Sequence, residues 1–160
     1  MKQSEIYAGK ILLIDLATQK VGHLPTADYS DRFLGGRGIA SKIYWDRVPP
    51  ESSFEDEANC LIITMGPLAG MPGGLGGSRW GVYGKSPLPL VTHRNREHFC
   101  YGNCGGTFGA ELRFAGFDGI VITGKADSPV AVSIVDDVVE ILSADHLWSK
   151  TTIETMDILA

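Results

Sequence analysis

Apolar residues cluster at Ile11 to Leu16, give way to a polar turn at Thr18-Gln19, and return in a shorter run from Lys20 to Leu24. Two such runs around a short turn predict a β-hairpin. Asp28 or Ser30 is placed to cap a short helix running into Phe33-Leu34. Beyond the glycines of Leu34-Gly35-Gly36-Arg37-Gly38, the residues Ile39, Ala40, Ile43 and Tyr44 recur at helical spacing until Pro49-Pro50 stops the pattern. A charged loop, Glu51 to Glu57, leads to an apolar strand from Cys60 to Gly66. From Gly66 to Leu90 no period persists, and the stretch reads as a long irregular connection. Loops of that length in a compact domain more often line a ligand than stand idle. The last third alternates strand-like runs at Gly119–Gly124, Val130–Val135 and Val138–Leu142 with turns at Asp127-Ser128 and Asp136-Asp137, and reads as helical from Ala144 onward.

Tyr101 to Ala126 packs the most chemistry into the shortest length: a glycine-rich turn, a helix over Thr107–Phe114 and a buried strand over Gly119–Thr123. Gly105 and Gly106 carry no Cβ, so the oxygens of another group can approach the peptide N–H groups of the turn. The helix start beside them offers orphan N–H donors and the positive end of its dipole. Ordinary packing accounts for a turn, helix and strand of this kind equally well. The segment also has an echo, because Gly35, Gly36 and Ala40, leading to Leu61–Gly66, align with Gly105, Gly106 and Ala110, leading to Ile120–Gly124. A duplicated unit would build a platform of two similar layers around a pseudo-twofold axis; chance similarity between glycine-rich helix starts is the alternative.

Composition narrows the classes. One domain is expected from 160 residues, a length that hides roughly 70% of the unfolded surface. Twenty glycines are about twice the usual share, so many turns are close or left-handed. A net charge of −5 argues against nucleic-acid binding, which needs a clustered positive surface. No apolar run is long enough to span a membrane and the start at Met1 is polar, so no signal peptide is expected and the cytoplasm is the default location. Three cysteines without regular spacing do not make a disulfide framework.

Several motifs fail on inspection. Gly84-Lys85-Ser86 resembles the end of a P-loop, but Arg79 stands where its first glycine belongs and Pro87 where its helix should begin. The LGGRGIA run lacks the full dinucleotide-binding spacing. Cys100 and Cys104, with His93 and His98 nearby, have ligand types suited to zinc or an iron-sulfur cluster, but the spacing is wrong and only two thiolates are present. Small loop and core cysteines are the plainer reading, and Cys60 belongs to the core. None of the histidines, at 23, 93, 98 and 146, is tied by spacing to a nucleophile, so no catalytic residue is assigned. Arg79, directly after the glycine-rich GGLGGS, is well suited to a phosphate, because its planar fork makes paired charge-assisted hydrogen bonds. The competing reading of Arg79 is a solvated surface charge.

The order of LGGRGIA, LIITMGPLAG, GSRWGVYGKSP, NCGGTFGAELRFAGFDGIVITGKADSPV and ILSADHLWSK resembles the N-terminal domain of aldehyde ferredoxin oxidoreductases, from about Gly9 to Lys150. These are tungsten, sometimes molybdenum, bis-pterin enzymes. The resemblance implies an α+β fold of two similar β-rich halves with short helices, related by a pseudo-twofold and forming a saddle for the pterin cofactor. It also implies a single tungstopterin-seating domain over 1–160. Arg79 matches the position that contacts a pterin phosphate, and Gly105 a position that lines the cofactor beside Gly106. Asn103 matches the position whose backbone carbonyl helps bind a magnesium ion bridging the pterin phosphates, a role suited to a hard oxygen ligand.

The activity so implied is oxidation of a small aldehyde to a carboxylic acid, with electrons passing through an iron-sulfur cluster to ferredoxin or an electron-transfer subunit. A benzoyl-CoA-type or other low-potential reductase subunit is the alternative within the family, and a non-catalytic binding or assembly module the alternative outside enzymology. The family's cluster-binding cysteine run is not in this sequence, and 151–160 reads as the start of a helix cut short, so a fragment of a longer enzyme is expected in preference to a split subunit. Such a fragment is expected to be inactive alone. Exposed apolar surface on its saddle could pair two copies as a homodimer. Two departures stand out. The 88–102 segment, with His93, Arg94, Arg96, His98 and Cys100, is longer than the family leads one to expect and suggests a lid or an extra phosphate contact; Cys104 stands where a serine or other small residue is expected.

Overall fold

The computed structural model describes residues 6–71, 77, 79–87 and 97–159. The elements are β1 (Lys10–Asp15), β2 (Lys20–Pro25), α1 (Ala27–Phe33), α2 (Arg37–Arg47), β3 (Cys60–Met65), β4 (Trp80–Lys85), β5 (Phe99–Cys104), α3 (Phe108–Phe114), β6 (Gly119–Thr123), β7 (Val130–Val135), β8 (Val138–Ser143) and α4 (Thr152–Leu159). They form a mixed sheet ordered β2-β1-β6-β3-β4-β5 and a separate β7-β8 hairpin, so the chain is α+β as expected. Among the described residues no helix is long and apolar enough to cross a membrane.

Burial on both faces explains why the central strands read as unbroken apolar runs rather than alternating ones. Successive side chains of a strand point to opposite faces. Ile11, Ile62 and Val121 therefore meet Ile39, Ala40 and Ile43 of α2 on one side. Leu12, Ile14, Met65 and Ile120 meet Leu112 of α3 on the other, where Val132, Ile134, Val139 and Ile141 of the β7-β8 hairpin complete the cover. Ile43 is wholly buried, and a buried side chain of that size contributes about 1.5–3 kcal/mol.

Strand order repeats the echo seen in the sequence. Read from either edge the sheet runs hairpin, hairpin, then the strand that follows the other unit's helix: β2-β1-β6 against β5-β4-β3. The two copies differ in direction, since β1 is parallel to β6 whereas β4 is antiparallel to β3. Their helices also cover opposite faces. The repeat is thus one of connection and order: glycine pair, helix, central strand.

Four local expectations are corrected. The 66–90 connection is not irregular throughout, because Trp80–Lys85 forms β4. Glycines at 81 and 84 disguise it as loop, yet Gly81 is required: a Cβ there would lie 2.3 Å from the Tyr83 hydroxyl oxygen. Residues 101–104 belong to strand β5 and not to the glycine turn, which starts at Gly105. Neither Asp28 nor Ser30 caps α1; Thr26 holds the N-cap position without a side-chain cap bond. Its hydroxyl donates instead to Asp118 Oδ2 at 2.6 Å. Finally, 144–149 is a series of turns, and the terminal helix begins at Thr152.

Lys85, the residue that suggested a P-loop, is buried in β4. Its ammonium donates to the Ser52 hydroxyl at 3.2 Å and to the carbonyls of Pro49, Pro50 and Ser52, so it pins the 49–52 turn to the sheet. A strand and a satisfied donor leave it no phosphate-cradling role.

Candidate cofactor-binding site

β4 and β5 pair antiparallel with Trp80 opposite Cys104 and Gly81 opposite Asn103. Arg79 immediately precedes the first rung and Gly105 immediately follows it, so the two stand side by side at one end of the sheet. Trp80 fixes the junction. Its indole Nε1 donates to the Gly105 carbonyl at 3.1 Å, and its ring packs against Phe108 with centroids 4.7 Å apart. A Cβ on Gly109 would come within 3.3 Å of Trp80 Cβ, a tight contact that glycine relieves where α3 packs against β4.

Arg79, Asn103, Gly105 and Gly106 are all exposed. Gly106 has φ +89°, a conformation that favours glycine on its own account. Gly105 has no such need: its φ is not positive, and a Cβ there would meet nothing within 4 Å. Packing among the described residues gives no reason for glycine at 105, which leaves bare main chain facing outward beside a guanidinium. Asn103 lies one rung before the end of that ladder, on β5, the edge strand of the sheet. An edge strand keeps half of its peptide groups outside the ladder.

A second guanidinium, absent from the sequence reading, belongs to α2, whose start is bonded to Met65, the β3 residue opposite Trp80. Arg37, the first residue of α2, places its guanidinium carbon 3.8 Å from the centroid of the Tyr101 ring. Tyr101 stacks on Tyr83 at 6.2 Å. Burial raises the Tyr83 phenol, while a hydrogen bond with Thr64 and the nearby Arg37 charge pull it back down. Thr64 in turn donates to the Gly36 carbonyl at 2.9 Å, and the Gly36 N–H donates to Met65 O at 2.9 Å, so the start of α2 is fastened to β3. In the sequence the LGGRG run reads as glycines opening a helix, and nothing local marks its arginine. Trp80, also overlooked, had one signal: an indole directly after Arg79.

The LRFAGFD part of the sequence proves to be a brace. Asp118 accepts from the N–H groups of Ala8 at 3.0 Å and Gly9 at 2.8 Å and pairs with Arg113 at 3.2 Å. Arg113 also donates to the carbonyls of Ile6, Gly66 and Pro67. Together they tie the first described residues to the loop that follows β3.

The cysteines do not converge. Cys100 and Cys104 lie four residues apart on an extended strand, about 13 Å at the usual rise, too far to share one metal ion. Among the described residues no three of His, Cys, Asp and Glu could hold a metal. Cys60 is buried, and burial raises its thiol to about 11. His98 continues the β4-β5 ladder by accepting from Ser86 N–H at 2.7 Å, and Cys100 is exposed on β5. His93, Arg94 and Arg96 lie outside the described residues.

The family described as aldehyde ferredoxin oxidoreductase, N-terminal domain, matches residues 11–160. The chain belongs to the aldehyde ferredoxin oxidoreductase family. It is 38% identical over 151 residues to a tungsten-containing aldehyde ferredoxin oxidoreductase of Thermococcus kodakarensis, covering 92% of this chain and 23% of the relative. An aliphatic sulfonate oxidoreductase, WOR-like subunit, of Pyrococcus furiosus is 36% identical over 153 residues, covering 92% of this chain and 23% of that one. Among solved structures, the active-site complex BamBC of benzoyl coenzyme A reductase with 1,5-dienoyl-CoA superposes with a TM-score of 0.86 at 35% identity, covering 96% of this chain and 22% of that chain. The chain thus spans about a quarter of the relatives it matches. It is an N-terminal domain of a tungsten oxidoreductase family, with the fold of that domain.

Proposed function

We propose that this chain seats the phosphate end of a tungstopterin cofactor at the junction of β4, β5 and α3. The observation that carries the reading is the contiguity of Arg79 with Gly105, where exposed main chain with no packing reason for glycine adjoins an exposed guanidinium. The residues fit the group: Arg79 would grip a pterin phosphate through its fork, Gly105 and Gly106 would admit its oxygens close to the backbone, and the Asn103 carbonyl would serve a magnesium ion between phosphates, as hard oxygens do. When bound, the cofactor supplies the redox chemistry, and the protein's part is binding and orientation.

In the complete polypeptide that carries this chain, the reaction proposed is oxidation of an aldehyde with water to a carboxylic acid. It releases two protons and two electrons, which an iron-sulfur cluster held outside this chain would pass on to ferredoxin. The structural likeness to the benzoyl coenzyme A reductase complex favours a second reading, a low-potential reductase subunit with the same seat and another substrate pocket.

The test is tungsten and pterin content of that polypeptide, produced with tungstate, for the unaltered protein and for Arg79→Ala. Retention in the first and a fall of several-fold in the second support the seat. Equal content in both removes Arg79 from it, and absence of cofactor from the unaltered protein favours a non-catalytic assembly module.

A further inference from the structure

Arg37 is an exposed cation without an acidic partner among the described residues. The described residues contain two ion pairs, Lys42 with Asp46 and Arg113 with Asp118, and Arg37 is in neither. Its contact is the Tyr101 ring at 3.8 Å. A guanidinium spends its face on an aromatic ring and keeps its edge, where the N–H groups lie, for hydrogen bonds. The ring is therefore a rest that orients the fork without consuming its donors.

Position makes this useful. Tyr101 and Asn103 are two residues apart on β5 and so project from the same face, about 7 Å apart along the strand. Their partners Tyr83 and Gly81 follow suit, and Gly81 lacks a side chain in part because Tyr83 lies over it. The face from Tyr101 to Asn103 is thus low and aromatic, with Arg37 at one end and the 79–105 junction at the other. Arg37 and Arg79, neither with an acidic partner among the described residues of a protein of net charge −5, concentrate positive potential where an anion would settle.

We propose that Arg37, held by Tyr101, is a second anion-binding residue of this site, donating to a phosphate or pyrophosphate group, with Tyr101 as its positioning residue. This rests on the reading of the β4-β5 end as a phosphate seat and extends it to the start of α2.

The experiment uses the complete polypeptide and two readouts: tungsten and pterin content, and calorimetric titration of the cofactor-free protein with inorganic pyrophosphate. The variants are Arg37→Ala, Arg37→Lys, Tyr101→Phe, Tyr101→Leu and Arg79→Ala, each checked for an unchanged thermal melt. Loss of one charge-assisted contact is expected to weaken pyrophosphate binding about tenfold in Arg37→Ala. Arg37→Lys, which keeps charge without the fork, should fall between, Tyr101→Leu should lose about threefold and Tyr101→Phe nothing. Arg37→Ala binding pyrophosphate as the unaltered protein does, while Arg79→Ala binds it weakly, overturns this inference and leaves the seat standing. Weakened pyrophosphate binding with full pterin content in Arg37→Ala supports an anion contact here and removes it from the cofactor. Failure of the unaltered protein to bind either ligand overturns both readings.

Discussion

Trp80 and Gly105 are joined across the first rung of the β4-β5 ladder by an indole N–H donating to a backbone carbonyl at 3.1 Å. The bond holds the glycine bend against the strand that starts immediately after Arg79, so one side chain sets the relative position of the two proposed phosphate contacts. Trp80→Phe keeps the ring packing on Phe108 and removes the donor. It is expected to cost about 0.5–1.5 kcal/mol in urea denaturation and to lower tungsten content of the complete polypeptide; full content would show that the bend holds itself.

Gly105→Ala separates a ligand's needs from the fold's. The added Cβ meets nothing within 4 Å and faces no positive φ. The melting temperature should therefore stay within about one degree, a shift well under 0.5 kcal/mol, while pterin content falls. A melting temperature that drops with cofactor content unchanged would make Gly105 a folding residue. Gly106→Ala, at φ +89°, is the contrasting case and should cost about 1–3 kcal/mol by strain alone.

Asp118 is the hub of the brace that joins residues 6–9, 26, 113 and 118. It is 4% exposed and accepts from two backbone N–H groups, a hydroxyl and a guanidinium. Asp118→Ala leaves the Arg113 charge partly buried without its carboxylate, and losing one partner of a buried pair costs about 3–5 kcal/mol. A loss below about 1 kcal/mol in urea would show that water replaces the carboxylate.

Cys60 sets a limit at alkaline pH. Burial raises its thiol from 9.0 to about 11, with the Arg47 charge opposing. The unfolded chain ionises first, so the folded state is undisturbed below about pH 9 and loses stability as pH rises through 11, on the order of 2–3 kcal/mol for two pH units. Cys60→Ala is less stable at pH 8 because of the cavity, and its deficit should narrow by pH 10.5. A deficit that stays constant would place the ionisation elsewhere. Exposed Cys100 should react with iodoacetamide in the folded protein while Cys60 does not.

The central strands are easy to read, because Ile11–Ile14, Leu61–Ile63 and Ile120–Ile122 carry apolar residues at every position, although Leu61 itself is exposed. β4 and β5 were hard. Gly81, Gly84 and Gly102 break any alternation, and at Gly81 the reason is a tyrosine ring lying on the strand, which no local pattern encodes. Arg79, Asn103, Gly105 and Gly106 were picked out from their types and their resemblance to a family, and the structure places them together at one end of β4 and β5. Arg37 and Trp80 were missed because their meaning lies in contacts with Tyr101 and Gly105, 64 and 25 residues away.

The residue order alone determined which segments are buried, where glycine opens the backbone and to which family the motifs belong, since hydrophobic period, turn chemistry and short motifs are local properties. Only the tertiary structure decided that β4 pairs with β5 in the register that sets Arg79 beside Gly105, and that the start of α2 carries a second cation onto the Tyr101 ring of β5. Register is chosen by the sum of many side-chain contacts across the sheet, and no single segment contains that sum.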